Sequence, residues 1–217
     1  MHGDRVLFID GEALVIDKPA GLPVDKPRDG SLSLENHLDS LKFGFQRWPQ
    51  AVHRLDRDTS GCLLLSRNPK AHARFQQAFE RGEVEKRYLA VLAGVPDAEE
   101  GVIDLALGKV STREAGWRIV ADPAGKAATT AWRRLAVRDG RALVELRPTT
   151  GRTHQIRVHA ATGLGLPVVG DPVYGGGEPG GMLLHAAALT VPRAGKDPIQ
   201  ADAPLPDRFG AWDLAAG

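Results

Sequence analysis

A charged loop that runs directly into a buried strand restricts the fold of this chain more than any other feature. Residues 51–68 read AVHRLDRDTSGCLLLSRN, and ionisable side chains crowd the first half of this stretch. The apolar run Cys62–Leu65, bounded by Gly61 and by polar residues, predicts a buried strand. Loops held on a rigid scaffold carry much of the chemistry of proteins. Asp56 is therefore a candidate nucleophile or base, kept ionised by the neighbouring arginines.

The residue types alone leave a second interpretation of this loop open. It could be a solvated turn in which an Arg–Asp ion pair contributes little to stability. The longer pattern from His53 to Gly61, HRLDxxTSG, resembles the signature of the RluA-type RNA pseudouridine synthases. Because this pattern is long and specific, the resemblance favours an active-site loop.

Further motifs of the same family follow in the family's order. Lys86-x-Tyr88 lies in a predicted strand and resembles the second motif. The stretch PTTGRTHQIRVH at 148–159 resembles the third motif, whose last arginine corresponds to Arg157. Two shorter elements also look like family counterparts: KPAG at 18–21 and GDPVYG at 170–175. The resemblance thus covers nearly the whole chain.

The resemblance implies a reaction that isomerises a uridine of RNA to pseudouridine. The N1–C1′ glycosidic bond breaks, the base turns, and C5 bonds to C1′. Because substrate and product are isomers, no redox cofactor, metal or nucleotide is expected. The sequence agrees, since it contains no P-loop and no dinucleotide fingerprint. His154, His159 and His185 have no carboxylate or cysteine at metal-ligand spacing, so they are expected to be neutral and hydrogen-bonded.

Three residues form the catalytic set that the resemblance implies. Asp56 is the catalytic carboxylate, which either attacks C1′ or abstracts a proton from C2′, and the sequence leaves both routes open. Arg157 is expected to form a buried ion pair with Asp56, which keeps the carboxylate ionised against the effect of desolvation. Tyr88 is expected to stack on the flipped base, and its hydroxyl is the candidate for removing the proton from C5.

Four further residues are implied to bind the substrate. Chemistry on a base within folded RNA requires the base to be extruded. Arg54 is expected to fill the space that the flipped base leaves, where its planar guanidinium can stack. Leu184 is expected to form an apolar wall for the uracil ring. Arg57 and Arg152 are candidates for phosphate contacts, which position RNA without reading its sequence.

The charge of the chain is unevenly distributed, although the formal net charge is only +1. Residues 51–90 hold eight Lys/Arg against five Asp/Glu, and residues 111–160 hold ten against four. Both basic segments carry candidate site residues, which would suit an RNA backbone laid across one face. No apolar run approaches the ~20 residues that cross a bilayer, and the N-terminus lacks a signal-peptide pattern. We therefore expect a cytoplasmic protein with an RNA partner and no membrane partner.

Local patterns predict the elements around these motifs. Asp-Gly pairs at 10–11 and 139–140 separate apolar runs and predict tight hairpin turns with left-handed residues. The strand after the second turn is expected to have one face on the core, and a short strand is expected around 102–107. Cys62 is expected to be a buried, unreactive thiol. Three helices are predicted at 33–44, 68–82 and 153–163, with Ser33, Asn68 and Thr153 as their N-caps.

The architecture implied by these patterns is an α+β pseudouridine synthase catalytic fold. A mixed, mainly antiparallel sheet would be flanked by helices, with Asp56, Tyr88 and Arg157 meeting in a central cleft. We expect one catalytic domain over residues 1–217, without the S4-like RNA-binding domain of many relatives. The catalytic domain would then hold the RNA itself, as in the shorter family members that act on stem-loops. The expected target is a stem-loop in 23S rRNA, in tRNA or in both, and a monomer is expected.

Two other functions remain open on the sequence. The chain could be an RNA-binding protein of the same fold whose activity has lapsed, although Asp56, Tyr88 and Arg157 are all present. It could instead be a carboxylate-dependent glycosidase that acts on nucleosides or sugars. That reaction needs a second catalytic carboxylate near Asp56, and Asp58 is the only close candidate in the sequence.

Overall fold

The computed structural model describes residues 5–27, 29–112 and 116–212, and the chain falls into two compact units. The first unit comprises residues 1–86 and 186–204, and the second comprises residues 87–185 and 205–217. The expectation of one domain over residues 1–217 stays a prediction. No helix in the described part of the chain is both long enough and apolar enough to cross a membrane.

Strands dominate the described residues and helices are few, which confirms the α+β class with a mostly antiparallel sheet. The strands are β1 (Val6–Ile9), β2 (Ala13–Lys18), β3 (Gln50–Ala51), β4 (Ser60–Ser66), β5 (Glu85–Leu92), β6 (Glu100–Asp104), β7 (Leu107–Thr112), β8 (Gly116–Ala121), β9 (Thr129–Arg138), β10 (Arg141–Pro148), β11 (Leu184–Val191) and β12 (Ile199–Asp202). The helices are α1 (Pro69–Glu80) and α2 (Gln155–Val158), with 3-10 turns at Leu34–His37, Asp39–Leu41 and Asp207–Trp212 and a π turn at His159–Gly163.

In the first unit, the strand that follows the charged loop is the most deeply buried. All seven residues of β4 are buried, as its apolar run predicts, and β4 pairs antiparallel with β2 from Lys18↔Gly61 to Ala13↔Ser66. Gly61 has φ +107°, and a Cβ at this position would lie 2.2 Å from the carbonyl oxygen of Ala186. A side chain therefore cannot be accommodated at the point where the loop enters the strand.

Helix α1 forms where the sequence predicts it. Asn68 is the N-cap, its side chain accepts a hydrogen bond from the Ala71 N–H at 2.9 Å, and Pro69 opens the first turn. This cap satisfies one of the backbone donors that a helix start leaves unpaired. The stripe of Ala71, Phe75 and Ala78 is buried against the first unit's core.

The second unit is built on four antiparallel strands in the order β5, β10, β9 and β6. The turn between β9 and β10 is confirmed, with Asp139 at φ 50° and Gly140 at φ 71°. The expectation that β10 buries only one face is wrong, because Leu143 and Val144 point to opposite faces and both are fully buried. On the face opposite Val144, Glu145 is also buried, beneath ion pairs with arginines of β9 and β10.

Three local predictions differ from the structure. The Asp10-Gly11 turn has no left-handed residue, because the Asp10 carboxylate closes it by accepting hydrogen bonds from the N–H groups of Glu12 and Ala13, both at 2.8 Å. The predicted helix at 33–44 is two short 3-10 turns and contains no α-helix. The strand expected around 102–107 is instead β6 and the start of β7, and β7 forms a hairpin with β8 that the sequence analysis missed.

Candidate active site

The Asp56 loop in the first unit is anchored by a lysine that has no exposed surface. The Lys18 Nζ donates hydrogen bonds to the carbonyl oxygens of Pro19 at 2.9 Å, Leu22 at 2.8 Å and Arg57 at 3.0 Å. The Arg57 carbonyl also accepts from the Gly21 N–H at 2.9 Å. The KPAG element thus holds the backbone of the residue next to Asp56.

A tight turn fixes Asp56 from the other side. The Asp56 carbonyl accepts a hydrogen bond from the Thr59 N–H at 3.1 Å. Leu55, Thr59 and Ser60 are buried, whereas Asp56 itself is partly exposed. A loose solvated turn would have neither this buried frame nor a buried lysine as its support. The loop therefore presents Asp56 on a fixed backbone.

His53 joins the loop to β4 and α1. The Leu64 N–H donates to His53 Nε2 at 3.0 Å, and the imidazole ring stacks on Phe79 at a centroid distance of 4.6 Å. Burial, together with the charge of Lys86, lowers the pKa of His53 to about 3. The ring is therefore neutral at physiological pH, with Nε2 as the acceptor. Burial also lowers the pKa of Lys86 to about 8.

The two arginines of the loop are exposed and form surface ion pairs. Arg54 Nη1 lies 2.9 Å from Asp25 Oδ2, and both side chains are mostly exposed. Arg57 donates two hydrogen bonds to Asp58, from Nε at 3.1 Å and from Nη2 at 3.3 Å, which raise the pKa of Arg57. Exposed ion pairs of this kind are weak, so both guanidinium groups can exchange their partner for another anion.

In the second unit, Tyr88 and Leu184 belong to one apolar cluster. Tyr88 lies opposite Leu146 in the pairing of β5 with β10, and its partly buried ring packs against the cluster. Leu184 is buried within the same cluster, and its carbonyl accepts a hydrogen bond from Arg208 at 3.2 Å. Leu184, the expected apolar wall, and Tyr88, the expected stacking ring, therefore pack in the same apolar cluster.

Arg157 is clamped by a carboxylate that the sequence analysis did not identify. Its Nε donates to Asp171 Oδ2 at 2.7 Å and its Nη2 donates to Asp171 Oδ1 at 2.8 Å, with both side chains almost fully buried. Burial raises the pKa of Asp171, but the hydrogen bonds and charge of Arg157 and the N–H groups of Val173 and Tyr174 outweigh this and lower it. The GDPVYG segment was the available signal, since it contains Asp171. The ion pair of Arg157 with Asp56 stays a prediction.

The helix that carries Arg157 starts differently from the prediction. Its N-cap is His154, with φ 53° and no side-chain cap, so the predicted Thr153 cap is wrong. The Gln155 side chain instead holds the residues that precede the helix. Its Oε1 accepts hydrogen bonds from Thr150 Oγ1 at 2.7 Å and from the Arg152 N–H at 2.9 Å. The helical segment ends at Gly163, as predicted, through a π turn.

Histidines near Arg157 are hydrogen-bonded, as expected. His159 is fully buried between Thr130 Oγ1 at 2.9 Å and the Leu105 carbonyl at 3.0 Å, and burial lowers its pKa. His154 Nδ1 lies 2.9 Å from the Tyr174 hydroxyl. Within residues 5–27, 29–112 and 116–212 no group of three or more His, Cys, Asp or Glu could hold a metal ion.

Arg152 is a surface residue, whereas Cys62 lies inside the first unit. Arg152 is exposed, and its Nε donates to the Ala127 carbonyl at 3.0 Å. Cys62 is buried, and burial raises the pKa of its thiol to about 12, which confirms an unreactive cysteine. Asp56, Arg54 and Arg57 belong to the first unit, and Tyr88, Arg157, Leu184 and Arg152 belong to the second.

Comparison with known proteins gives one consistent family. Residues 12–162 match the family model described as RNA pseudouridylate synthase. An uncharacterized RNA pseudouridine synthase of Zymomonas mobilis is 64% identical over 208 residues, which cover 94% of this chain and 95% of that protein. The ribosomal large subunit pseudouridine synthase D of the same species is 36% identical over 179 residues, covering 79% of this chain and 56% of that protein. The solved structure of human RNA pseudouridylate synthase domain containing 4 has a TM-score of 0.79 at 27% identity, covering 95% of this chain and 90% of that one.

Proposed function

This chain belongs to the RluA-type family of RNA pseudouridine synthases, which are isomerases, and we propose that it converts one specific uridine of a structured RNA to pseudouridine. The N1–C1′ bond breaks and a C5–C1′ bond forms, while C5 loses a proton and N1 gains one. The observation that best supports an active enzyme is the frame around Asp56. A fully buried lysine, a tight turn and a strand entry that excludes any side chain all fix this one loop.

Asp56 is the proposed catalytic carboxylate, acting on C1′ or on the C2′ proton. Tyr88 stacks on the flipped uracil and takes the proton from C5 through its hydroxyl. Leu184, from the same apolar cluster as Tyr88, forms a wall for the ring. Holding these groups in place before the substrate arrives lowers the entropic part of the barrier.

Arg157 is the proposed electrostatic partner of Asp56. A guanidinium has five N–H donors in a rigid fork, and the pair with Asp171 uses donors on Nε and Nη2. A second carboxylate can therefore be paired without breaking the first pair. Because Asp171 fixes the orientation of the guanidinium, Arg157 would meet Asp56 with its N–H donors already oriented.

Arg54, Arg57 and Arg152 are the proposed RNA contacts. All three are exposed, and the ion pairs of Arg54 with Asp25 and of Arg57 with Asp58 are weak enough to open. Arg54 then fills the space that the flipped base leaves. The other two guanidinium groups bind phosphates and set the register of the RNA.

The proposed substrate is a stem-loop of ribosomal or transfer RNA in the cytoplasm, bound by a monomer. A loop nucleotide is easier to extrude than a paired one. The Zymomonas relative named for the ribosomal large subunit supports the first of these RNAs. Mapping pseudouridine in ribosomal and transfer RNA from cells that lack the gene would identify the target uridine.

A glycosidase is a weaker candidate because of the hydrogen bonds that Asp58 makes. That reaction needs a general acid beside Asp56. Both carboxylate oxygens of Asp58 accept hydrogen bonds from Arg57, so the carboxyl group is directed at Arg57 and not toward a leaving group beside Asp56. Asp58 is thus poorly suited to the role.

The test uses ribosomal and transfer RNA transcripts that contain 5-tritiated uridine, without added cofactor. We expect the wild-type protein to release tritium and the Asp56→Asn variant to release none. Asp58→Asn is the matched control, and it should retain release. RNA binding without tritium release would instead support a lapsed enzyme, and liberated uracil would support a glycosidase.

A further inference from the structure

The hairpin of β7 and β8 in the second unit presents an exposed tryptophan. Trp117 is 44% exposed, and Lys109 Nζ lies 5.5 Å from the centroid of its ring. Lys109 pairs with Ile119 in the hairpin register, and Ile119 is two residues from Trp117 on β8. Because alternate residues of a strand share a face, Trp117, Ile119 and Lys109 lie on one face of the hairpin.

This tryptophan is held in place by a row of aromatic contacts. Its ring meets His154 edge-on at 5.3 Å, and His154 meets Tyr174 edge-on at 5.7 Å. The Tyr174 hydroxyl donates to the Ile119 carbonyl at 3.0 Å and accepts from the Ile119 N–H at 3.2 Å, so it locks the hairpin backbone. Arg157 lies over the Tyr174 ring at 5.1 Å. The row of contacts therefore runs from Arg157, the proposed electrostatic partner of Asp56, to the exposed indole of Trp117.

Single exposed apolar side chains are common and need no explanation. Trp117 differs because its neighbours are cationic and because its position is fixed. Lys109 is exposed on the same face of the hairpin, and exposed Arg152 is two residues from His154 in sequence. A rigid aromatic face with flanking cations is the arrangement that binds unpaired nucleotides, through base stacking and phosphate contact.

We propose that Trp117 and Lys109 form a stacking platform for an unpaired nucleotide of the substrate RNA, distinct from the target uridine. Trp117 stacks on the base, and Lys109 binds an adjacent phosphate. This inference rests on the proposed function in that it takes RNA to be the substrate. The platform strengthens RNA binding and takes no part in the isomerisation.

The test measures binding of a hairpin RNA with a uridine-rich loop, and of a fully paired RNA of the same length. We expect Trp117→Leu to weaken binding of the hairpin RNA about 5-fold to 150-fold, which corresponds to the loss of one stacked base. Trp117→Phe should lose less, because it keeps a ring. Neither variant should change binding of the paired RNA. Val137→Ala, which trims another exposed apolar side chain of the second unit, is the control and should bind both RNAs as the wild type does.

A fluorescence measurement separates stacking from a loss of folding. Stacking on Trp117 should quench wild-type emission when the hairpin RNA binds, and Trp117→Phe should lack that part of the quenching. In tritium release, Trp117→Leu should raise KM and keep kcat. Unchanged affinity of Trp117→Leu for the hairpin RNA, with an unchanged melting temperature, would overturn the platform even if tritium release is normal. Conversely, a wild-type protein that releases no tritium but needs Trp117 to bind the hairpin RNA would refute the proposed function and support the platform.

Discussion

The guanidinium of Arg157 and the carboxylate of Asp171 form a buried bidentate pair, with N–O distances of 2.7 and 2.8 Å. The two residues are 14 positions apart, and Asp171 also accepts the backbone N–H groups of Val173 and Tyr174. The pair thus joins the helix of the third motif to the GDPVYG turn. The ion pair therefore fixes the orientation of the Arg157 guanidinium.

Removing Asp171 should leave a buried, uncompensated guanidinium. We expect Asp171→Ala to lower the free energy of unfolding by about 3–5 kcal/mol, the usual cost of breaking a buried ion pair from one side. Urea unfolding checks this. Glu99→Gln, which removes an exposed partner of Arg134, is the control and should change stability by less than about 1 kcal/mol. Equal stability of Asp171→Ala and the wild type would show that the pair is not required.

The buried ammonium of Lys18 should matter for both stability and turnover. Lys18→Met keeps the length of the side chain but removes the ammonium donor from three backbone carbonyls, although that of Arg57 keeps the Gly21 N–H as a second donor. We expect a loss of about 2–5 kcal/mol in unfolding free energy, since each bond involves a charged group. Lys70→Met, at an exposed position of α1, is the control. In tritium release, Lys18→Met should lower kcat more than it raises KM. A variant with wild-type kcat would mean that Lys18 does not position the Asp56 loop.

Gly61 should tolerate no side chain. Its φ of +107° disfavours any L residue, and a Cβ would lie 2.2 Å from the Ala186 carbonyl oxygen. We expect Gly61→Ala to cost at least about 1–3 kcal/mol from backbone strain alone. Gly11→Ala is the matched control, because Gly11 has open space around its Cβ position and no left-handed backbone. A thermal melt of the two variants compares them, and equal melting temperatures would contradict the proposed close approach.

Acid should destabilise the protein partly through His53. Burial and the Lys86 charge depress the pKa of His53 from 6.5 to about 3 in the folded state. Between these two pH values the unfolded chain binds a proton at His53 that the folded chain does not bind. The contribution of His53 to stability is therefore fully present above pH 6.5 and is lost as the pH drops toward 3. His53→Gln, which can still accept the Leu64 N–H, should be less stable at neutral pH but should lose less stability across this window. Unfolding free energies measured at several pH values check the slope, and parallel curves would exclude His53 as a contributor.

Features encoded by neighbouring residues could be predicted from the sequence. The Asn68 cap and the stripe of α1 depend on spacing within one helix, and the Asp139-Gly140 turn depends on two adjacent residues. Both were confirmed. The Asp56 loop could be recognised because its motif is contiguous, and so could its attachment to a buried strand.

Features that depend on distant partners could not be predicted in the same way. Lys18 would ordinarily be placed on the surface, and its burial depends on a carbonyl 39 residues away. The pairing of Asp171 with Arg157 depends on how helix α2 packs against the GDPVYG turn. The hairpin of β7 and β8 has weak alternation, and its Ile119 is fixed by Tyr174 from a separate segment. In each case tertiary contacts decide what the local pattern leaves open.

The fork geometry of Arg157 should be essential for turnover. Arg157→Lys keeps the charge, but one ammonium cannot donate the two parallel hydrogen bonds to Asp171 and also meet a second carboxylate in a fixed direction. We expect tritium release to fall by about 100-fold or more, since small misplacements of a catalytic group have effects of this size. Affinity for the RNA should stay within a few-fold of the wild type. Arg152→Lys is the matched control, because a lysine can still contact a phosphate, and it should retain kcat. A wild-type rate for Arg157→Lys would remove the role assigned to the guanidinium.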